Sequence, residues 1–109
     1  MNNPPKVDVN FSSDGKISPG IVDVNIEAGA TYQDQDFINT SSGPATILLP
    51  PGLSPDGCIF GLAAGQRKTI KISSSVPRKF EIPYQVFLVG ERGGIWGEGN
   101  SPPTMKVGP

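Results

Sequence analysis

The chain contains no histidine and only one cysteine, Cys58, among its 109 residues. Structural zinc needs four ligands, drawn mainly from cysteine and histidine, and a disulfide within the chain needs two cysteines. Both are therefore excluded by count. A serine or cysteine nucleophile would have to use lysine, aspartate or glutamate as its base, because the histidine that usually accepts the proton is absent.

The chain is also poor in net charge and in long apolar runs. Nine basic and ten acidic residues give a net charge of -1, with no run of like charges. Nucleic-acid binding normally needs a clustered basic surface that displaces counterions, so we expect none here. No apolar run approaches the roughly 20 residues of a membrane span, and the N-terminal MNNPPK does not resemble a signal peptide.

Helical periodicity is the third absence. Fourteen glycines and twelve prolines are spread along the chain, and no helix of three turns fits between them. This composition favours short strands joined by sharp turns. The length fits one domain. We predict a loose lead-in over residues 1–5 and a single β-sandwich domain over residues 6–109.

The clearest strand signal is the stretch from Phe80 to Leu88, FEIPYQVFL. Large apolar side chains occupy every second position, so one face of an extended strand must look into a core. Pro83 falls within this run and lacks a backbone N–H. We therefore expect its nitrogen to point away from any partner strand.

Alternation and turn signals predict further strands before and after this stretch. The predicted strands are Lys6–Phe11, Val22–Ile26, Phe37–Asn39, Thr46–Leu49, Arg67–Ser73 and Met105–Val107, with local pairing possible at Cys58–Phe60. Residues 31–36 are open to strand or loop, Ser12–Lys16 forms a turn with Gly15 at positive φ, and Gly90–Pro103 forms the longest loop. The spacing predicts an all-β, antiparallel sandwich of seven or eight strands.

Several motifs resemble the cupredoxin family, the Greek-key sandwiches of plastocyanin and amicyanin type. The resemblance rests on Pro19 and Gly29 with alternating valines between them, on Phe37-Ile38-Asn39, on Ile82-Pro83-Tyr84-Gln85-Val86, and on Ser101 to Val107. It implies a Greek-key topology and favours an extracytoplasmic location, in the periplasm or outside the cell.

The resemblance does not extend to copper. Family members that bind type 1 copper use two imidazoles and a thiolate, often with a weak axial methionine. The matching histidine position falls at Ala45 and the cysteine position at Val86, while Met105 resembles part of the last strand. A blue-copper site is excluded on ligand count, and no cofactor is expected.

Three smaller groupings admit a functional and a structural interpretation. Asp34 and Asp36 could contribute to a calcium site or be solvated turn residues. Cys58, after Asp56-Gly57, could be a primed nucleophile or a small buried hydrophobe at the start of a strand. Glu91 and Glu98 could be a general acid and base or belong to a solvated loop.

The loop from Gly90 to Asn100, GERGGIWGEGN, carries the only tryptophan. Tryptophan and arginine are common at binding hot spots, and a large ring in a glycine-rich loop gains stability by docking on a partner or by capping the open end of the sandwich. The predicted partner-binding residues are Arg92, Ile95, Trp96 and Glu98, with Thr40 and Ser41 beside them if the family topology holds.

The leading functional hypothesis is a non-catalytic, metal-free cupredoxin-like module that binds a protein partner or itself through this loop end. One alternative is a structural domain of a larger assembly, which would make contact through a sheet edge without the proline and lysine that guard against edge pairing. Another alternative is an enzyme with an unrecognised carboxylate pair, marked by a carboxyl of strongly raised pKa in a cleft.

Overall fold

The computed structural model describes residues 8–26, 30–73, 80–90, 93–97 and 103–108. Within these ranges the chain forms eleven β-strands and no helix, which confirms the all-β prediction but exceeds the seven or eight strands expected. The strands are β1 Val9–Phe11, β2 Ile17–Ser18, β3 Ile21–Asn25, β4 Tyr32–Asn39, β5 Ala45–Leu48, β6 Ile59–Leu62, β7 Arg67–Ser73, β8 Phe80–Pro83, β9 Gln85–Gly90, β10 Gly93–Trp96 and β11 Thr104–Gly108.

The strands assemble into three sheets. Sheet 1 has the order β2-β1-β4-β7, sheet 2 the order β10-β9-β5-β6, and sheet 3 the order β3-β11-β8. Two pairs are parallel, β1 with β4 and β3 with β11, whereas an antiparallel arrangement was expected. Hairpin turns produce only antiparallel neighbours, and each parallel pair instead joins strands that other strands separate in the sequence.

The stretch from Phe80 to Leu88 serves two sheets. It divides into β8 in sheet 3 and β9 in sheet 2, with Tyr84 at the crossing, so the prediction of one continuous strand was wrong. Its inward alternation nevertheless persists through the crossing, because Ile82, Tyr84, Val86 and Leu88 are all buried. The sequence period therefore specifies which side chains enter the core even where the hydrogen-bonding partner changes.

Pro83 ends β8 at the edge of sheet 3. The next residue, Tyr84, donates its N–H to the Pro103 carbonyl at 3.0 Å, on the side of β11. Successive backbone nitrogens of a strand point to opposite sides, so the Pro83 nitrogen faces the open edge. The predicted orientation of Pro83 is confirmed.

The inward side chains of all three sheets form one hydrophobic cluster. At its centre three aromatic rings form a chain: Phe11 and Phe37 have centroids 6.0 Å apart, and Phe37 meets Tyr84 edge-on at the same separation. Offset and edge-to-face contacts of this kind add to the stabilisation from burial alone. The last strand supplies Met105 and Val107, both fully buried, as the alternation predicted.

The turn between β1 and β2 has the predicted form. Ser12 and Lys16 close it through their backbones, and Gly15 has φ +86°, a conformation that favours glycine. Within the turn the Asp14 carboxylate accepts hydrogen bonds from the Ser12 hydroxyl and from the Lys16 N–H. These bonds stabilise the ionised carboxylate and lower the pKa of Asp14 below its ordinary value.

The structure resolves two of the remaining local predictions, and the others lie outside the described residues. Residues 32–36, left open to strand or loop, belong to the long strand β4. Of the predicted segment Cys58–Phe60, Ile59 and Phe60 pair with β5 as part of β6, which continues to Leu62, while Cys58 lies immediately before the strand. The lead-in over residues 1–5 and the motif residue Gly29 lie outside the residues that the structure describes.

Candidate interaction surface

The tryptophan lies on a strand and not in a loop. β10 pairs antiparallel with β9, with Gly93 opposite Gly90 and Trp96 opposite Phe87, so the predicted loop over Gly90–Pro103 was wrong for Gly93–Trp96. Two residues separate the first paired positions, the spacing of a tight hairpin. The glycines at this turn, Gly90, Gly93 and Gly94, explain why a loop was predicted, because glycine is typical of loops.

Trp96 packs across the hairpin against Phe87. Their ring centroids lie 4.9 Å apart in an edge-on arrangement, on the face of sheet 2 that points away from the core. The Phe87 ring also covers Gly94, where an added Cβ would fall 1.9 Å from Phe87 Cζ. Trp96 remains 49% exposed, so about half of its surface is accessible despite this packing.

Ile95 points to the opposite face of the hairpin. It lies opposite the buried Leu88, and its Cδ1 is 3.0 Å from where a Cβ on Gly15 would be placed. Ile95 therefore covers the glycine of the 12–16 turn while remaining 43% exposed. The two predicted apolar contact residues consequently belong to different surfaces.

Thr40 and Ser41 are engaged in hydrogen bonds within the chain. The Thr40 hydroxyl donates to the Phe11 carbonyl at 2.6 Å, and the buried Ser41 hydroxyl donates to Asn39 Oδ1 at 2.5 Å. Both residues lie near the 12–16 turn, since the Ser42 N–H donates to Ser13 Oγ at 3.0 Å. These bonds leave neither hydroxyl free to bind a partner.

The other two predicted contact residues, Arg92 and Glu98, lie outside the described residues, as does Glu91. The structure therefore places four of the six predicted contact residues. Of those four, Trp96 is the one that joins a larger exposed surface.

That surface is the outer face of sheet 2. No residue of its four strands carries a charge, in a chain that is 17% charged. Its outward side chains follow the strand register and are Trp96, Phe87, Val89, Gln85, Thr46, Leu48 and Ile59, with Gly94 and Gly61 between them. Antiparallel sheets that face water on one side normally carry polar residues there, so an uncharged outer face calls for another explanation.

The β6 edge of this sheet is open. Leu49 N–H donates to the Cys58 carbonyl at 2.8 Å, so residues 58, 60 and 62 face β5 with their backbone groups. The N–H and C=O groups of Ile59 and Gly61 then point outward. In the part of the chain that the structure describes, no strand pairs with that side of β6. Ile59 is 68% exposed.

Sheet 1 presents an outer face of opposite character. Asp36 accepts hydrogen bonds from Arg67 at 2.9 Å and from the Thr69 hydroxyl at 2.6 Å. Arg67 also bridges to Asp8 at 3.2 Å. The hydrogen bond and charge of Asp8, followed by those of Asp36, raise the pKa of the Arg67 guanidinium.

Asp34 and Asp36, which were open to a calcium site or to a solvated turn, lie on strand β4 and not in a turn. Both oxygens of Asp36 are already bonded to Arg67 and Thr69. Calcium takes six to eight oxygen ligands. Among the described residues there is no group of three carboxylate, cysteine or histidine side chains placed to share a metal ion.

The positions that match copper ligands in the resembled family are apolar and buried. Ala45 and Val86 both face the core, in neighbouring strands β5 and β9. Cys58 is a free thiol immediately before β6 and is half-buried, so it is more accessible than a buried hydrophobe at the start of a strand would be.

Sequence reasoning missed most of the outer face of sheet 2. The sequence does contain a pattern that indicates this face, in the outward positions of the stretch that forms β8 and β9. These read Glu81, Pro83, Gln85, Phe87 and Val89, so they change from polar to apolar halfway along. Strands that are apolar on both faces are normally covered on both, whereas Val89 on this face is exposed in the isolated chain.

Comparison with known proteins adds no relative: no protein-family model matches this chain, and a search of curated proteins finds no significant match. Among the described residues there is no helix with the length and hydropathy to cross a membrane.

Proposed function

We propose that this protein is a non-catalytic, metal-free binding module of cupredoxin-like Greek-key type that associates with protein through the outer face of sheet 2. The observation that carries the proposal is the absence of charge from all four strands of that sheet. The family resemblance, retained here as part of the proposal, favours an extracytoplasmic location.

The chemistry of this face fits protein association. Large exposed apolar patches on soluble domains mark interaction sites, and aromatic side chains dominate the energetics of such interfaces. Phe87 holds Trp96 edge-on, so the larger ring is already ordered before a partner arrives. Prior ordering reduces the conformational entropy that binding must overcome.

The described ionisable groups favour a non-catalytic role. A general acid would require a carboxyl of raised pKa in a cleft. Asp14, by contrast, is an exposed turn residue whose pKa is lowered by hydrogen bonds within its own turn. Asp36 is engaged by Arg67. No described group supports the alternative of an enzyme with a carboxylate pair.

A photo-crosslinking amino acid, p-benzoylphenylalanine, tests the proposal when it replaces Trp96 in the source cells. The matched control carries the same amino acid at Thr69, an exposed outward position on sheet 1. We expect a discrete protein adduct from position 96 that weakens strongly in a Phe87→Thr background. Equal adducts from positions 96 and 69, or none from 96 while the protein remains folded, would contradict the proposal.

A further inference from the structure

The four edges of sheets 1 and 2 differ in how they are protected. Along β7 the Lys71 N–H donates to the Asp56 carboxylate at 3.1 Å, and the Ser73 N–H donates to the Leu53 carbonyl at 2.8 Å. Loop 50–57 thereby covers part of that edge. β7 also carries Arg67, Lys68 and Lys71, and charges of this kind oppose pairing with another chain.

The β10 edge is restricted by its surroundings. The 12–16 turn approaches it, with Trp96 O lying 3.9 Å from the Cβ position of Gly15. At the opposite edge of sheet 1, β2 is only two residues long. Neither edge offers the length of open backbone that an added strand requires.

Among the described residues, β6 has none of these protections. Its sequence, Ile-Phe-Gly-Leu, contains no charge and no proline, and two residues direct both N–H and C=O outward. An uncharged edge of this kind is a template for another strand. Sheet edges free of lysine and proline are also what the structural-assembly hypothesis required.

We propose that β6 is a dimerisation edge, where two copies of this chain pair their β6 strands antiparallel about a two-fold axis at Phe60. This inference rests on the proposed function, because a second copy paired at β6 enlarges the uncharged surface through which the protein is proposed to associate. The two four-stranded sheets then join into one eight-stranded sheet, whose uncharged outer faces are continuous.

The backbone groups fit this symmetry. The backbone N–H and C=O groups of Ile59 and Gly61 point away from β5, toward the open edge. In the dimer, Ile59 of one copy therefore lies opposite Gly61 of the other, and the two-fold axis generates the same pair a second time. Each such pair exchanges two N–H···O=C bonds, which gives four bonds in all, with the Phe60 residues facing each other at the non-hydrogen-bonded position between them.

The side chains fit as well. Residues directly opposite in an antiparallel pair project to the same face, so each Ile59 would lie beside the Gly61 of the other copy. Ile59 is 68% exposed, and among the described residues no atom lies within 4 Å of the Cβ position of Gly61. Sheet 2 already contains such a contact, with Phe87 covering Gly94 on the adjacent strand.

Charge favours a second copy over a foreign strand. A two-fold axis brings identical groups together, so a charged edge would repel itself, whereas β6 has no charge to oppose another β6. The nearest acidic group, Asp56, is held by the Lys71 N–H of its own chain. The net charge of -1 adds little long-range repulsion.

The size of the edge sets the strength of the dimer. Stable interfaces bury about 800 Å² per partner, and a four-residue strand with the side chains beside it covers less than that. We therefore expect a reversible dimer that dissociates on dilution and not an obligate one.

The test is sedimentation velocity from about 1 μM to 1 mM, with reductant present so that Cys58 cannot cross-link. Ile59→Lys places two like charges beside the axis, and we expect it to weaken the dimer at least tenfold. Thr69→Lys makes the same charge change at an exposed position of β7 and should leave the dimer unaltered. Backbone hydrogen exchange should slow with concentration at Ile59 and Gly61 and stay constant at Thr69.

The possible outcomes separate this inference from the function on which it rests. Dimerisation weakened by Ile59→Lys but not by Thr69→Lys supports the β6 edge. A monomer at 1 mM overturns the dimer and leaves crosslinking at position 96 to test the face independently. A dimer lost in Trp96→Ala yet kept in Ile59→Lys overturns the edge while supporting association through the face.

Discussion

Sheets 1 and 2 pack on the same core, but their outer faces differ in chemical character. Inward, both sheets place mainly buried aliphatic and aromatic side chains, with Gln35 and Asn39 of β4 as buried polar exceptions. Outward, sheet 1 shows ion pairs between Arg67 and the carboxylates of Asp8 and Asp36, whereas sheet 2 shows Trp96 and Phe87 and no charge. The core dictates only the inward set, so the outer faces are free to differ and carry the information about function.

The same contrast extends to the edges. At β7 the Asp56 carboxylate accepts a hydrogen bond from the Lys71 N–H, in the place of the carbonyl of a neighbouring strand. The β7 strand also carries the charged side chains of Lys68 and Lys71. At β6 the outward groups of Ile59 and Gly61 have no such cover among the described residues. One sheet is thus protected from association on both its face and its long edge, and the other is exposed on both.

The largest expected effect arises where the two sheets join. Asn39 ends β4 in sheet 1, is fully buried, and donates to the Leu62 carbonyl of β6 at 3.2 Å and to the Gly43 carbonyl at 2.8 Å. Asn39→Ala removes both bonds and also the Oδ1 that accepts the buried Ser41 N–H at 3.0 Å, so it should lower the free energy of unfolding by about 3 kcal/mol. Urea denaturation measures the loss.

Asn10→Ala is the control for Asn39, because Asn10 is half-buried and faces outward on β1. We expect it to cost far less. Equal losses for the two variants would mean that the buried Asn39 network does not hold the sheets together.

A smaller effect is expected from the ring pair on the face of sheet 2. A double-mutant cycle of Phe87→Ala and Trp96→Ala should give a coupling energy of about 1 kcal/mol, typical of edge-on aromatic contacts. Trp96→Ala alone should leave the domain folded, since Trp96 is 49% exposed. Thermal unfolding followed by circular dichroism measures the stability of the wild type, the two single variants and the double variant.

The matched cycle pairs Phe87→Ala with Tyr32→Ala, since Tyr32 is an exposed aromatic on β4 of sheet 1. Its coupling should be near zero. Global unfolding of Trp96→Ala at room temperature would show that this residue supports the core, and the comparison of the two faces would then fail.

The smallest expected effect lies on the face of sheet 1. Arg67→Ala removes two ion pairs from a half-exposed side chain, so it should lower the urea midpoint slightly at low salt. In 1 M NaCl the Debye length is about 3 Å, and the difference from wild type should disappear. Thr46→Ala on the uncharged sheet should respond equally at both salt concentrations; an Arg67 effect that does not depend on salt would contradict a charge-based explanation.

Much of the fold follows from local pattern. Alternation correctly predicts the buried sets of β3, β7 and β11, and the Ser12–Lys16 turn follows from its glycine and polar side chains. Division of the Phe80–Leu88 stretch between two sheets does not follow, because a strand's period says nothing about its neighbours. Strand β10 could not be predicted for a related reason. Its glycine-rich segment has little strand propensity of its own and is stabilised as a strand by pairing with β9.

The candidate surface was predictable in part. Residue type singled out Trp96 as a contact residue, and its exposed position agrees with that prediction without testing its role. The sequence also shows that Asp56 is the one charged residue between Phe37 and Gln66, which indicates an uncharged surface. That signal could not show that β5 and β6 lie beside β9 and β10, because those pairings join distant segments.

The sequence by itself determined which side chains are buried, since a period of two divides each strand into an inward and an outward set. It also excluded structural zinc, a disulfide within the chain and a type 1 copper site, because the cysteines and histidines that these need can be counted. Only the tertiary structure decided that the uncharged segments share one sheet and that β6 has an open edge. Both depend on which strands pair across long separations, and backbone pairing places almost no constraint on residue type.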